Sequence, residues 1–317
     1  RANGVEMKDG KIASVLAQDT RSGQKTKVSG RIFADCTGDG NLGYLAKADF
    51  RIGRESKAHT EEDLAPSVED HLVMGTSVQW NTREEENASS FPKVPWAISF
   101  TDETCVETVR GAWDWETGAH LNHATQMEEI RDYALRVVFG NWSVLKNSAD
   151  PARQQKFAKR KLNWVAYIGG MRESRRLMGE FVLSQQDIVE GIPYPDASVT
   201  TTWTIDLHYP EKPLCACDAF QSKAKHLKID PYPIPYRCFY SRNVPNLMMA
   251  GRNISVTHVA LGTVRVMRTT GMMGEVVGMA NAIMKEHQCL PKDVYTSHLA
   301  QLKQLMTEGV PGAPKLK

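Results

Sequence analysis

The chain has 317 residues, 41% of them hydrophobic and 24% charged, with 39 Lys and Arg against 37 Asp and Glu. That length exceeds one ordinary domain and predicts two interleaved or consecutive units, each with its own core. A net charge of +2 gives no ground for nucleic acid or an anionic membrane as partner. No apolar run is long enough for a transmembrane helix.

The six cysteines, Cys36, Cys105, Cys215, Cys217, Cys238 and Cys289, show no CxxC spacing, which argues against a structural zinc site and any other metal centre. They read as scattered buried or surface thiols. Compartment stays open between cytoplasm and periplasm. The start at Arg1, in mid-pattern and without Met, suggests a segment removed upstream.

In chain order, Gly4 to Ala17 reads as a hairpin about the turn Lys8-Asp9-Gly10-Lys11, where Asp-Gly supplies the positive φ of a tight turn. A second turn, Arg21 to Gln24, leads to a strand over Lys25 to Ser29, completing a β-meander. Arg31 to Cys36 is an apolar strand ending in Thr37-Gly38-Asp39-Gly40. Helices are predicted over Asp102 to Arg110 and over Ala124 to Phe139, the latter with one apolar face. Ser184 to Asp187 forms a capping box for a short helix through Val189, stopped by Gly191 and Pro193. Tyr209 to Pro235, rich in proline, reads as a loop-rich connection. Asn246 to Gly251 is a second short strand ending in glycine, followed by a long helix over Thr269 to Glu286. Gly271, Gly274 and Gly278 share one face of that helix, which predicts a backbone or ligand close against it. The tail from Thr307 to Lys317 is expected to fray.

Three constellations carry candidate chemistry. Thr37 to Gly40 ends one strand and lets a backbone approach a nucleotide, with Asp39 accepting from a hydroxyl. Gly251-Arg252-Asn253 ends the other and precedes a helix whose N-terminus suits a phosphate or the electron-rich edge of a flavin, with Arg265 and Arg268 adding positive charge. Arg172-Glu173-Ser174-Arg175-Arg176 offers guanidinium groups to a carboxylate-bearing substrate. An ordinary turn, tight packing and a solvated basic face are the plainer readings of the three.

Ala34-Asp35-Cys36-Thr37-Gly38-Asp39-Gly40-Asn41-Leu42, Gly170 to Leu183 (GMRESRRLMGEFVL), Trp203 to His208 and Ile234 to Cys238 together resemble the bacterial FAD-dependent oxidoreductase family with a glutathione-reductase-type FAD fold. So does Asn246 to Gly278 (NLMMAGRNISVTHVALGTVRVMRTTGMMGEVVG). The resemblance implies a mixed α/β fold: an incomplete FAD/NAD(P)-binding Rossmann-like domain with a β-meander and an inserted substrate-side domain. Its parts would be FAD-domain sequence over 1–54, the insertion over 55–235, the FAD-domain return over 236–286, and a C-terminal helix and tail over 287–317.

The implied cofactor is FAD, contacted by Thr37, Gly38, Asp39, Gly40, Gly251, Arg252, Arg265, Met267, Thr269, Thr270, Gly271 and Gly274. The family's G-x-G-x-x-G unit is absent from its place, so the chain reads as a C-terminal portion; Arg268 stands where relatives tend to have proline. The implied reaction moves a hydride between flavin N5 and a small polar substrate; the arginine run points to a carboxylate-bearing compound, with a sugar as the alternative. His258 is the first candidate base, since His titrates near working pH, though a structural bond to a carbonyl suits it equally. Arg172, Arg175, Tyr236 and Arg237 are candidates for the catalytic site, and His208 for lining the substrate space. The competing readings are a truncated apo-fragment or binding module without FAD, and a non-flavin NAD dehydrogenase. A sheet lacking its central strand would expose an edge that invites self-association into homo-oligomers.

Overall fold

The computed structural model describes residues 1–309. These fall into two compact units. The first comprises Arg1–His71, Glu173–Asp206 and the chain from His226 onward; the second comprises Leu72–Arg172 and Leu207–Lys225. The segments 55–71, 173–206 and 226–235, expected in the insertion, belong to the first unit, where Glu55, Glu62, Glu173 and Arg176 are buried among its own polar groups.

The first unit opens with the meander. Strands Ala2–Lys8, Lys11–Gln18 and Lys25–Ser29 pair antiparallel in that order. Asp9 and Gly10 take φ of 49° and 74°, as the two-residue turn demands. The two glycine-ended strands then lie side by side: Phe33–Asp35 pairs parallel with Leu247–Met249, Phe33 opposite Leu247 and Asp35 opposite Met249. Asn246 ties this pair to the meander, accepting from the Ile12 amide and donating to the carbonyls of Ile12 and Arg31.

The long helix runs Met267–His287, two residues earlier than its pattern predicts, and buries Met273, Val276, Val277, Ala280, Ile283 and Met284. It packs on the strand Ala197–Thr201 and on the helices Pro291–Ser297 and Leu299–Glu308. Gly271, Gly274 and Gly278 lie on its exposed side, with no described atom within 4 Å of a Cβ added at any of them. The close neighbour expected on that face is absent from the described residues. The short helix Gln185–Val189 has its capping box, the Ser184 amide donating to the Asp187 carboxylate at 2.7 Å. Past Gly309, the tail lies outside the described residues.

In the second unit the helix Met127–Asn147 delivers Ala134, Val137, Val138, Trp142 and Leu145 to a core shared with Trp80, Phe100, Trp115, Phe157 and Phe220. Strands Arg160–Val165, Trp80–Glu84 and Arg110–Gly111 form its antiparallel sheet. No helix forms over Asp102 to Arg110. Thr101 and Asp102 spend their side chains on local and tertiary bonds instead, Thr101 on Glu103 and Asp102 on Ser148 and Arg153, the competition that makes such residues poor helix interiors. The proline-rich stretch carries strands Ser222–Leu227 and Tyr232–Pro235, its prolines tolerated in the two-stranded pairing of Tyr232–Pro235 with Ala197–Thr201. Cys215 and Cys217, expected as separate thiols, are joined in a disulfide, which their spacing of two residues permits.

Candidate cofactor and proton-transfer site

Both parallel strands of the first unit deliver their turns at the same, carboxyl, end. Asp35 closes the first strand and is 1% exposed. Its Oδ1 accepts from the Thr37 amide and hydroxyl at 3.0 and 2.7 Å, and its Oδ2 from the Gly43 amide at 2.9 Å. The Thr37 hydroxyl in turn accepts from the Asp39 and Asn41 amides. The turn is therefore shaped by its own side chains. Gly38 and Gly40 sit at φ of 77° and 62°, where a Cβ would be strained.

The second turn abuts the first. Gly251 has φ of 122°, and a Cβ there would lie 3.8 Å from the Gly38 Cα. A Cβ on Gly38 would meet the Arg252 guanidinium at 2.8 Å. Arg252 reaches the Asp39 carboxylate at 3.3 Å, while Arg175 donates to the Asp39 carbonyl and to Asn41 Oδ1 and lies 4.0 Å above the Tyr44 ring. Burial draws the Arg175 guanidinium below its usual range. Asn253 Oδ1 and Ser255 Oγ, on the second turn, are buried without hydrogen-bond partners. Side-chain-free glycine backbone, two guanidinium groups and orphaned polar atoms at parallel strand ends fit a dinucleotide's phosphates and hydroxyls.

A second group of the same unit surrounds His258, the first residue of the helix His258–Val264. Thr257 caps that helix: its hydroxyl accepts from the Ala260 amide at 3.1 Å and donates to Glu62 Oε1 at 2.5 Å. The His258 amide donates to Glu55 Oε2 at 3.0 Å. Its Nδ1 stands 2.9 and 3.1 Å from the two Glu173 oxygens. Arg176, 0% exposed, links the two carboxylates, 3.1 Å from Glu173 and 2.9 Å from Glu55, with a further bond of 2.7 Å to the Gly53 carbonyl. A carboxylate only accepts, so Nδ1 carries the proton, and in neutral His258 the Nε2 lone pair is left. That Nε2 is buried and has no partner. Glu62 lies beside the group, its carboxyl pushed up mainly by burial, with Oε2 also unpartnered.

The remaining sequence candidates are dispersed. The Arg172–Arg176 run splits: Arg175 goes to the glycine turn, Arg176 to the His258 group, and Arg172 belongs to the second unit, 2.9 Å from Glu116. There Glu116 also bonds His208 Nδ1, and Trp113 packs edge-on against the His208 ring. Tyr236 is fully buried with its hydroxyl on the Pro291 carbonyl, and Arg237 forms a fork with Asp196 at 2.9 and 3.0 Å. Arg265 pairs with Asp206 at 2.9 Å. Met267 is 90% exposed, Thr269 is buried with its hydroxyl on Thr201, and the Thr270 hydroxyl returns to the Met267 carbonyl. Gly271 and Gly274 lie exposed on the same helix.

The family model described as FAD dependent oxidoreductase matches residues 1–306. The chain belongs to this family. No curated protein and no solved structure matches it. FAD is therefore the cofactor of this FAD dependent oxidoreductase and redox chemistry its activity, on a fold of mixed helix and strand. Among the described residues no helix is long and apolar enough to cross a membrane. Glu55, Glu62 and Glu173 are the members of the candidate His258 group that sequence reasoning missed. Glu173 stands inside the arginine run singled out for another reason; nothing local marks Glu55 or Glu62.

Proposed function

We propose that this oxidoreductase oxidises a small polar substrate, with His258 taking the substrate proton on Nε2 and Glu173 holding the imidazole. The observation that carries this reading is the buried His258 ring, bonded to a carboxylate through Nδ1 and unpartnered at Nε2. That is the arrangement of an oriented base: one nitrogen fixes tautomer and direction while the other stays available. FAD, when bound, supplies the hydride acceptor at flavin N5. Thr37, Gly38, Asp39, Gly40, Gly251, Arg252 and Arg175 would hold its phosphate and ribose portions, while Arg265 and the Met267 to Gly274 helix start stand as further cofactor contacts. A carboxylate-bearing compound stays the proposed substrate class, while Arg172 is held by Glu116, beside His208, within the second unit. Tyr236 and Arg237 are engaged with protein groups, which favours a supporting role for both.

The test loads the full chain with FAD and follows anaerobic bleaching of the visible flavin band with a panel of small 2-hydroxy and 2-amino acids. A substrate should bleach the wild type, and His258→Asn should slow bleaching by roughly 10²- to 10⁴-fold, the usual contribution of a positioned base. Equal rates in both proteins would remove His258 from the chemistry.

A further inference from the structure

Structural disulfides join segments distant in sequence, and the unfolded chain loses more freedom the longer the loop they close. Cys215–Cys217 joins residues two apart, already linked by a backbone bond from the Cys217 amide to the Cys215 carbonyl. It therefore staples nothing to anything else. It sits in the stretch between the strands Ile205–Pro210 and Ser222–Leu227, where Leu214, Ala216 and Asp218 are exposed and both cysteines are half-buried. Its neighbours Pro213 and Leu214 line a cavity of about 490 Å³ in the second unit, together with Tyr209, Lys212, Phe220 and a third sulfur, that of Cys105. Cys105 is a free thiol, pushed up by burial, and packs with Cys215 and Cys217 on the same aromatic core.

We propose that Cys215–Cys217 is a reversible two-electron redox couple that exchanges with low-molecular-weight thiols reaching this exposed stretch from solvent. A thiolate attacks one sulfur of the pair. The Cys215–Cys217 bond breaks, a mixed disulfide forms, and the other cysteine leaves as a thiolate and takes up a proton. A second thiol attacks the mixed disulfide and departs as the external disulfide. Two thiols are oxidised and the protein bridge is reduced to two thiols. Cys105, on the wall of the neighbouring cavity, takes no part in the exchange.

Glutathione serves as the probe. The folded chain is equilibrated with graded ratios of glutathione to glutathione disulfide, quenched with acid, alkylated and mapped by peptide mass. Cys215 and Cys217 should pass together from unlabelled to doubly labelled within the range of ratios that glutathione can set, with Cys238 (0% exposed) unlabelled until the chain is unfolded. Cys217→Ser should trap a single glutathione adduct at Cys215, and the Cys215→Ser, Cys217→Ser double variant should melt at the wild-type temperature. The proposal is overturned if the air-oxidised protein carries both residues as free thiols. It is equally overturned if the bridge survives a large excess of glutathione until denaturation, or if the double variant loses its fold.

Discussion

Arg176→Met puts the His258 group to its most direct test. The side chain is wholly buried and gives three hydrogen bonds, to Glu173, Glu55 and the Gly53 carbonyl. Methionine fills much of the same volume but leaves two buried carboxylates without their shared cation and one carbonyl without its donor. Breaking a buried ion pair from one side costs about 3–5 kcal/mol, and the orphaned carbonyl alone roughly 1–3 kcal/mol, so a loss of about 4 kcal/mol or more is expected where both carboxylates are ionised. With a urea slope of about 2 kcal/mol/M, the midpoint should fall by roughly 2 M or more, read by circular dichroism at about pH 8. The loss should shrink as pH falls. In the variant the folded state gains by binding protons at the uncompensated carboxylates, so it holds more protons than the unfolded state, and stability declines as pH rises. Adding Glu173→Gln should recover part of the loss. A drop below about 1 kcal/mol at pH 8, or one of the same size at pH 5, would refute the view that Arg176 compensates these two charges.

Glu62→Gln should stabilise the protein by roughly 1 kcal/mol or more near neutral pH. Burial raises the Glu62 carboxyl above 4.5, so its contribution is present below that value and lost as pH rises through the folded-state value; the variant's urea midpoint should be flatter over that window. Thr257→Ala removes the cap of the His258 helix and the donor to Glu62, and should cost about 1–2 kcal/mol, with Thr257→Ser largely restoring it in the same urea titration. Gly140→Ala drives a Cβ to 2.1 Å from the Ile98 carbonyl oxygen, a backbone clash that should lower the melting temperature of the second unit by the equivalent of about 1–3 kcal/mol; an unchanged melt would show that the helix passes Ile98 less closely. Gly38→Ala, strained at φ of 77° and crowding Arg252, should weaken FAD binding by at least tenfold in a fluorescence titration while leaving the rest of the fold intact.

What the sequence made legible was local chemistry. Asp9-Gly10 announces its turn because few other dipeptides accept two positive φ values, and Ser184 with Asp187 announces a helix start because the two groups satisfy each other three residues apart. The strand exits at Gly38 and Gly251 were readable for the same reason, and the parallel pairing of their strands brings the two turns together. The boundary of the second unit was not readable. It is set by where Glu55, Glu62 and Glu173 find partners, and those partners lie up to 203 positions away, as Glu55 does from the His258 amide. A lone glutamate in a polar stretch has the pattern of a solvated face until its partner is known. The arginine run misled in the opposite way: adjacent residues point to different neighbours, so three guanidinium groups close in sequence serve three separate sets of acceptors.

The energetics of the His258 group argue for its use. Replacing a buried ion pair with apolar side chains of similar volume is often neutral or stabilising by about 1–4 kcal/mol, so stability alone gives little reason to keep Glu55, Glu173 and Arg176 inside the first unit. Around neutral His258 stand the carboxylates of Glu55 and Glu173, with Arg176 bonded to both and Arg51 3.6 Å from Glu55. The carboxylate on Nδ1 fixes the ring while the proton arrives, and Arg176 keeps that carboxylate from turning away. We read this orientation, with a carboxylate behind the ring, as the support a base needs when the substrate gives up a proton along with its hydride.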